Sequence, residues 1–169
     1  MGLILASVIG FGFVAAAPPR DLPRDFALRM ELGLCWRDVV DTKSDRYIRD
    51  LATGSGKTRS AKLALTDEPW RELWRWIQES QFFGLPAELS ASDAAVSETG
   101  ERMSMIPSET YVVEVWASGR HHRVEFNDDN PAATSELLTR VRRLVGQLEQ
   151  FFTGLPQVKR LPEPAVGCA

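Results

Sequence analysis

The sequence has few of the residues on which active sites and metal centres most often depend. Its 169 residues include only two histidines and two cysteines. His121 and His122 are adjacent, and neighbours on a strand point to opposite faces, so a regular strand cannot bring both to one metal. No G-x-S-x-G elbow accompanies them for a Ser-His-Asp set. A pairing of Cys35 with His122 is the one nucleophilic arrangement left open, and we predict no catalytic residue, no cofactor and no metal.

A concentration of positive charge is also missing. The formal net charge is −3, whereas an electrostatic nucleic-acid binder needs a concentrated basic face. Arg140, Arg142 and Arg143 form the nearest candidate, and we interpret them as an ordinary solvated helix face. Arginine outnumbers lysine by 16 to 4, which is typical of a bacterial genome of high GC content. We expect no nucleic-acid partner.

No apolar run is long enough to cross a membrane. Residues 1–17 carry no charge, but the run falls short of the roughly 20 residues that a span requires. Small residues at Val14 and Ala16 predict a secretory signal peptide over residues 1–16, cleaved to leave Ala17 first. An uncleaved anchor is the alternative, since no Lys or Arg precedes the run. We expect export to the periplasm or the extracellular space, with no membrane span after cleavage.

Export bears on the two cysteines. In an oxidising compartment an even pair favours one disulfide. A bridge between Cys35 and Cys168 would join a C-terminal tail to the first strand, and two unpaired thiols are the alternative.

Alternation of apolar and polar residues predicts an antiparallel sheet. The clearest strand signal runs from Phe26 to Cys35. Extended pieces follow at 39–40, 46–48 and 58–65, and a hairpin pairs 110–118 with 120–126 across Ser118-Gly119.

Two segments have helical spacing instead. The first begins at Thr66 and places Trp70, Leu73, Trp74 and Ile77 on one face. The second is longer, with Asn130 as its cap, Pro131 in its first turn, Gly154 as its end and Pro156 as a barrier to further helix.

These elements predict an α+β fold, with an antiparallel sheet of four to six strands and two amphipathic helices packed on one face. Residues 24–156 form the predicted domain, 87–107 a flexible loop within it, and 157–169 an extended Pro-containing tail. The endings Phe-Phe-Gly-Leu-Pro at 82–86 and Phe-Phe-Thr-Gly-Leu-Pro at 151–156 suggest a ββα pseudo-repeat. Chance similarity of two helix ends is the alternative.

Two motifs resemble ligand loops without matching them. Residues 53–58 resemble a phosphate-binding P-loop, but Leu51 occupies the position of its first glycine. A polar hairpin turn explains the segment better. Residues 127–130 offer oxygen ligands for calcium but lack the glycine and closing glutamate of a calcium loop, so we interpret them as a helix cap.

Tryptophan is the remaining indication of function. Trp36, Trp76 and Trp116 lie off the predicted core stripes and are candidate exposed contact residues. Packing beneath a loop or tail is the alternative. We predict a non-catalytic binding or interaction module whose partner is a protein or small ligand of the cell envelope. An envelope-associated structural protein is the alternative, and a hydrolase is less favoured.

Overall fold

A seven-stranded sheet forms the framework of the protein. The computed structural model describes residues 21–33, 37–51, 56–94 and 108–164. The strands are β1 Ala27–Leu32, β2 Asp38–Asp41, β3 Arg46–Asp50, β4 Thr58–Lys62, β5 Glu88–Ser90, β6 Glu109–Ala117 and β7 Arg120–Asp128. The helices are α1 Asp67–Glu79, α2 Ala91–Ala94, α3 Glu136–Gly154 and α4 Pro156–Lys159. The α+β class is confirmed.

The strand order is β4-β3-β2-β1-β6-β7-β5. All pairs are antiparallel except β5–β7, which is parallel. The prediction of four to six antiparallel strands is therefore wrong in number and in this pair. Strand β5 has three residues, too few to show a period-two pattern, and it lies within residues 87–107. The predicted flexible loop is thus wrong for residues 88–94, while residues 95–107 lie outside the described part of the chain.

One face of the sheet and the long helices share a single hydrophobic core. Leu28 pairs with Val115 and Met30 with Val113, and these four side chains are buried. They belong to the same cluster as Leu73 and Ile77 of α1 and as the buried face of α3. Each large apolar side chain so buried contributes roughly 1.5–3 kcal/mol.

The start and end of α3 differ from the prediction. Ser135 is the N-cap, and its hydroxyl accepts the Leu138 amide at 3.1 Å. Asn130 does not cap the helix, because the helix begins six residues later at Glu136; the Asn130 carbonyl accepts the Ala133 amide in the preceding turn. Gly154 ends α3 as predicted, but Pro156 occupies the first turn of α4 instead of preventing further helix.

Helix α4 also corrects the prediction of a wholly extended tail. Its Val158 is fully buried in the core, and the Arg49 guanidinium donates to the Leu161 carbonyl at 3.3 Å. Burial of one apolar side chain and one long-range hydrogen bond hold this segment against the sheet.

The two halves are not equal ββα units. Four strands precede α1 and only β6 and β7 directly precede α3. The shared endings do not bury equivalent residues. Phe82 is the first phenylalanine of its ending and Phe152 the second of the other, and these two are buried, whereas Phe83 and Phe151 are half-buried. Across the described residues, no helix is both long and apolar enough to span a membrane.

Candidate functional site

An apolar cleft lies between the end of α1 and the β6–β7 turn. Its volume is about 350 Å³. The residues that line it are Trp74, Ile77, Gln78, Gln81, Phe82, Phe83, Ala117, Ser118 and Arg120. We refer to this set as the cleft. Sequence reasoning did not identify it, because its two halves are separated by more than thirty residues of the chain.

Two local backbone features shape the cleft. Gln81 has a left-handed conformation with φ of 53°, which ends α1 and turns the chain into the 3-10 turn Phe82–Gly84. Ser118 and Gly119 both have positive φ, 54° and 69°, as in the two-residue turns that join antiparallel strands. The Asp25 carboxylate accepts the amides of both residues at 2.7 and 2.6 Å. These hydrogen bonds lower the pKa of Asp25 below its ordinary value.

The wall formed by the 3-10 turn is joined to the sheet through His122. Its Nε2 lies 2.9 Å from the Leu85 carbonyl oxygen, and its ring meets Phe82 edge-on with centroids 5.5 Å apart. The wall is therefore held by a polar contact and an aromatic one. We expect it to keep its shape without a ligand.

Arg120 introduces charge at the edge of the cleft. It pairs with Ala117 across the hairpin, so its side chain lies on the cleft side of the sheet. Its guanidinium carbon is 4.2 Å from the Phe83 ring centroid, within the range of a cation–π interaction.

The tryptophans predicted as exposed contact residues have different outcomes in the structure. Trp76 is not exposed: it is 8 % accessible and meets Phe151 of α3 edge-on at 5.9 Å. The prediction for Trp76 is wrong because α3 packs against that side of α1. Trp36 lies outside the described residues, so its exposure stays a prediction.

Trp116 is half-buried, and both faces of its indole are covered. His121 stacks on the ring with centroids 4.6 Å apart, and the Lys43 ammonium lies 3.3 Å from the same centroid. Groups this close to the ring axis cannot share one face. Trp116 therefore offers a ligand only its edge.

The two histidines point to opposite faces of β7, as the sequence predicts. His121 Nε2 lies 3.3 Å from a Glu114 carboxylate oxygen on the face away from the cleft, and His122 contacts Leu85. In the described part of the chain, no group of three His, Cys, Asp or Glu side chains could hold a metal ion. Cys35 and Cys168 lie outside it, so the Cys35–His122 pairing and the disulfide stay untested.

The segment resembling a P-loop is the connection between two antiparallel strands. Thr58 opens β4, which pairs with β3, and the Leu51 amide donates to the Lys57 carbonyl at 2.8 Å. A P-loop leads from a strand into a helix whose first amides bind phosphate. The hairpin interpretation is confirmed for the described residues 51 and 56–58.

The three arginines of α3 are not a free basic face. Arg142 donates to the Asp128 carboxylate, with Nη2 to Oδ1 at 2.6 Å, and to the Asn130 carbonyl at 2.8 Å. Arg140 donates to Gln81 Oε1 at 2.7 Å. Arg142 thus fastens the loop before α3, which the sequence did not indicate.

The acidic residues before α3 are likewise used within the fold, and not as a helix cap. The Asp129 carboxylate accepts the Ser92 amide at 2.8 Å and the Ser90 hydroxyl at 3.1 Å. Burial by itself would raise the pKa of Asp129, but these hydrogen bonds outweigh it and lower the pKa. The contacts tie β5 and α2 to the end of β7.

A buried polar cluster at the other end of the sheet was also missed. Tyr47 donates to Asp38 Oδ2 at 2.6 Å, and Arg49 Nε approaches the same oxygen at 3.4 Å. Burial, followed by the hydrogen bond and charge of Asp38, raises the pKa of Tyr47. Since Arg49 also binds the Leu161 carbonyl, the cluster anchors the segment after α4.

A second tyrosine lies among carboxylates near the end of α3. Tyr111 donates to Glu109 Oε2 at 2.6 Å. Burial is the main cause of its raised pKa, and Glu109 and Glu149 add to it. Burial, and then the charge of Glu109, raises the pKa of Glu149 as well.

Comparison of the sequence with protein-family models and with curated proteins finds no match. The cleft itself is therefore the basis for a functional assignment.

Proposed function

We propose that the chain is an exported, non-catalytic binding module whose small ligand occupies the cleft. One observation carries the proposal: a cavity of about 350 Å³ with aromatic walls and a charged group at its edge. Small-molecule sites are commonly concave, mostly apolar and about 300–1,000 Å³ in volume, with a few polar groups that set orientation.

The non-catalytic part of the proposal has its own support. The imidazole of His122, whose ring contacts the cleft residue Phe82, is engaged with the Leu85 carbonyl oxygen at 2.9 Å. Neither Gln78 nor Gln81, the amides that line the cleft, is a nucleophile or a general base. These two amides therefore suit recognition better than proton transfer.

Binding at the cleft is tested with the full chain labelled with ¹⁵N and titrated with small aromatic and branched aliphatic compounds. We expect saturable shifts of the Trp74 indole N–H signal, because Trp74 lines the cleft. The Trp116 signal is the internal control, since Trp116 lies on the opposite face of the sheet from Ala117.

Phe83→Ala supplies the matched variant. It removes a half-buried wall residue without opening the centre of the core, so binding should weaken while the fold is kept. If no compound gives saturable shifts at the cleft, the binding function is wrong and the envelope-associated structural role becomes the better proposal.

Export is tested separately by N-terminal sequencing of the product released by producing cells. The mature protein should begin near Ala17. A mature protein that retains Met1 would contradict export through a cleaved signal peptide.

A further inference from the structure

The cleft has an uneven charge distribution. Arg120 is the one charged residue among the described residues that line it. Six described arginines have a carboxylate partner within 4.0 Å: Arg29, Arg37, Arg49, Arg75, Arg123 and Arg142. Other described arginines, Arg24 and Arg71 among them, have no such partner, and Arg120 is the one of these that lines the cleft. Arg120 has no such partner among the described residues, and its recorded contact is with the Phe83 ring. Its positive charge is therefore not neutralised within the described fold.

The position of Arg120 is set by the backbone. It is the first residue of β7 and follows the Ser118-Gly119 turn, whose two amides are bound by Asp25. The Asp25 carboxylate is engaged with those amides and lies beyond salt-bridge distance of Arg120. A planar guanidinium over an aromatic ring keeps its N–H edge available, and that fork matches the two oxygens of a carboxylate.

One acceptor at the cleft that a cation would need is already engaged. Gln81 Oε1, a potential acceptor, already binds the Arg140 guanidinium at 2.7 Å. The indole Nε1 of Trp74 is a buried donor without an acceptor among the described residues. The accessible surface of this atom is below 1 Å², so it does not meet a ligand in the open cleft.

From these contacts we propose that the cleft binds small monocarboxylates with an apolar body, aryl or branched aliphatic. The carboxylate pairs with the Arg120 guanidinium, and the apolar body packs on Phe83 and against Trp74 and Ile77. This inference rests on the proposed binding function and specifies the chemical class of its ligand. It also assigns Arg120 as the residue that distinguishes an acid from its neutral analogue.

Three probes of nearly equal shape test the inference: 4-phenylbutanoate, 4-phenylbutanamide and 4-phenylbutylammonium. Each is titrated calorimetrically into the full chain at low salt. We expect the carboxylate to bind about three- to tenfold more tightly than the amide. This ratio of affinities lies between the contribution of an exposed ion pair and that of a desolvated one. The ammonium should bind most weakly of the three probes. Added salt should reduce the differences in affinity among them, because it screens the charge of Arg120.

Arg120→Gln and Arg123→Gln form a matched pair of variants. Both residues lie on β7, but Arg123 is on the opposite face and is paired with Glu125 at 2.8 Å. Arg120→Gln should reduce carboxylate affinity to that of the amide and leave amide affinity unchanged. Arg123→Gln should change neither.

The possible outcomes distinguish failure of the proposed ligand class from failure of the proposed binding function. If the amide binds as tightly as the carboxylate, or if Arg120→Gln leaves carboxylate affinity unchanged, the ligand class is wrong while binding at the cleft stands. If none of the three probes binds, the ligand class is wrong, and the binding function is overturned as well when the wider panel of compounds gives no saturable shifts at the cleft. Tighter binding of the carboxylate, lost in Arg120→Gln alone, supports both.

Discussion

Replacement of Arg142 by alanine should destabilise the protein through the loop that leads into α3. The guanidinium makes charge-assisted hydrogen bonds to Asp128, at 3.0 Å from Nε and 2.6 Å from Nη2. It also donates to the carbonyl oxygens of Asn130 and Ala133. One side chain therefore satisfies a carboxylate and two backbone acceptors between β7 and α3.

The magnitude follows from the burial of the partners. Loss of a hydrogen bond to a charged group costs about 1.5–3 kcal/mol, and breaking a fully buried ion pair costs about 3–5 kcal/mol. The side chains of Arg142 and Asp128 keep 25 % and 18 % of their exposure, so water can reach part of the orphaned carboxylate. We expect a loss of about 2–3 kcal/mol in the free energy of unfolding, below the fully buried case.

The assay is urea denaturation followed by far-ultraviolet circular dichroism, with the midpoint compared at constant slope. Arg143→Ala is the control, because Arg143 is exposed on the same helix and should change stability by less than about 0.5 kcal/mol. The double variant with Asp128→Ala should cost less than the sum of the single variants, since it leaves no unpaired carboxylate. If Arg142→Ala is no worse than Arg143→Ala, the proposed role of the ion pair is refuted.

Three further predictions concern the core and the titrating groups. Leu144→Ala should lower the free energy of unfolding by about 2–5 kcal/mol, because Leu144 is 2 % exposed. The same substitution at half-buried Leu137 is the control, and an unchanged melting temperature in Leu144→Ala would contradict the packing of α3. Burial and carboxylate acceptors raise the pKa of Tyr47 and Tyr111, so the folded state favours the protonated phenols. The two phenols therefore stabilise the fold below about pH 10, and this contribution is lost as the pH rises above it. An ultraviolet titration should detect no tyrosinate near pH 10 before unfolding, and free ionisation in the folded protein would contradict both clusters. The lowered pKa of Asp129 predicts the opposite dependence: its stabilisation is present above the unfolded pKa near 4 and lost as pH falls below it. Asp129→Asn should therefore be less stable than the native chain at pH 7, and this difference in stability should shrink as the pH falls below about 4. A difference that stays constant with pH would contradict the prediction.

The sheet shows how far local periodicity predicts structure. Period-two alternation locates β1, and the Ser118-Gly119 turn locates the hairpin of β6 and β7. These signals are local because alternate residues of a strand meet the same environment. Strand β5 has no such signal, since three residues paired in parallel with β7 are specified by their partner.

Helix boundaries show a related limit. The apolar stripe of α3 is visible in the sequence, but Asn130 and Pro131 form a start signal that the fold does not use. The Asn130 carbonyl is taken by the Ala133 amide and by Arg142, so the chain turns once more before Ser135 caps the helix. One donor to that carbonyl, Arg142, lies twelve positions further along the chain. A start signal read from neighbouring residues cannot include it.

The site was the least predictable feature. Tryptophan content favoured Trp76 and Trp116 as contact residues, yet α3 buries the first, and Lys43 and His121 cover the faces of the second. The cleft instead joins the end of α1 to Arg120, on either side of β5, α2 and β6. No spacing in the sequence relates those segments.

The sequence by itself therefore determined the longer elements and their apolar faces, because the side-chain periods of strands and helices are properties of neighbouring residues. Tertiary structure decided which polar groups are satisfied within the fold. Arg142, Asp129 and Tyr47 have their partners through long-range contacts, whereas Arg120 has no carboxylate partner among the described residues. The energy of a charged or polar group depends on the atoms around it in space. For that reason the residue most suited to meet a ligand could be recognised only after the chain was folded.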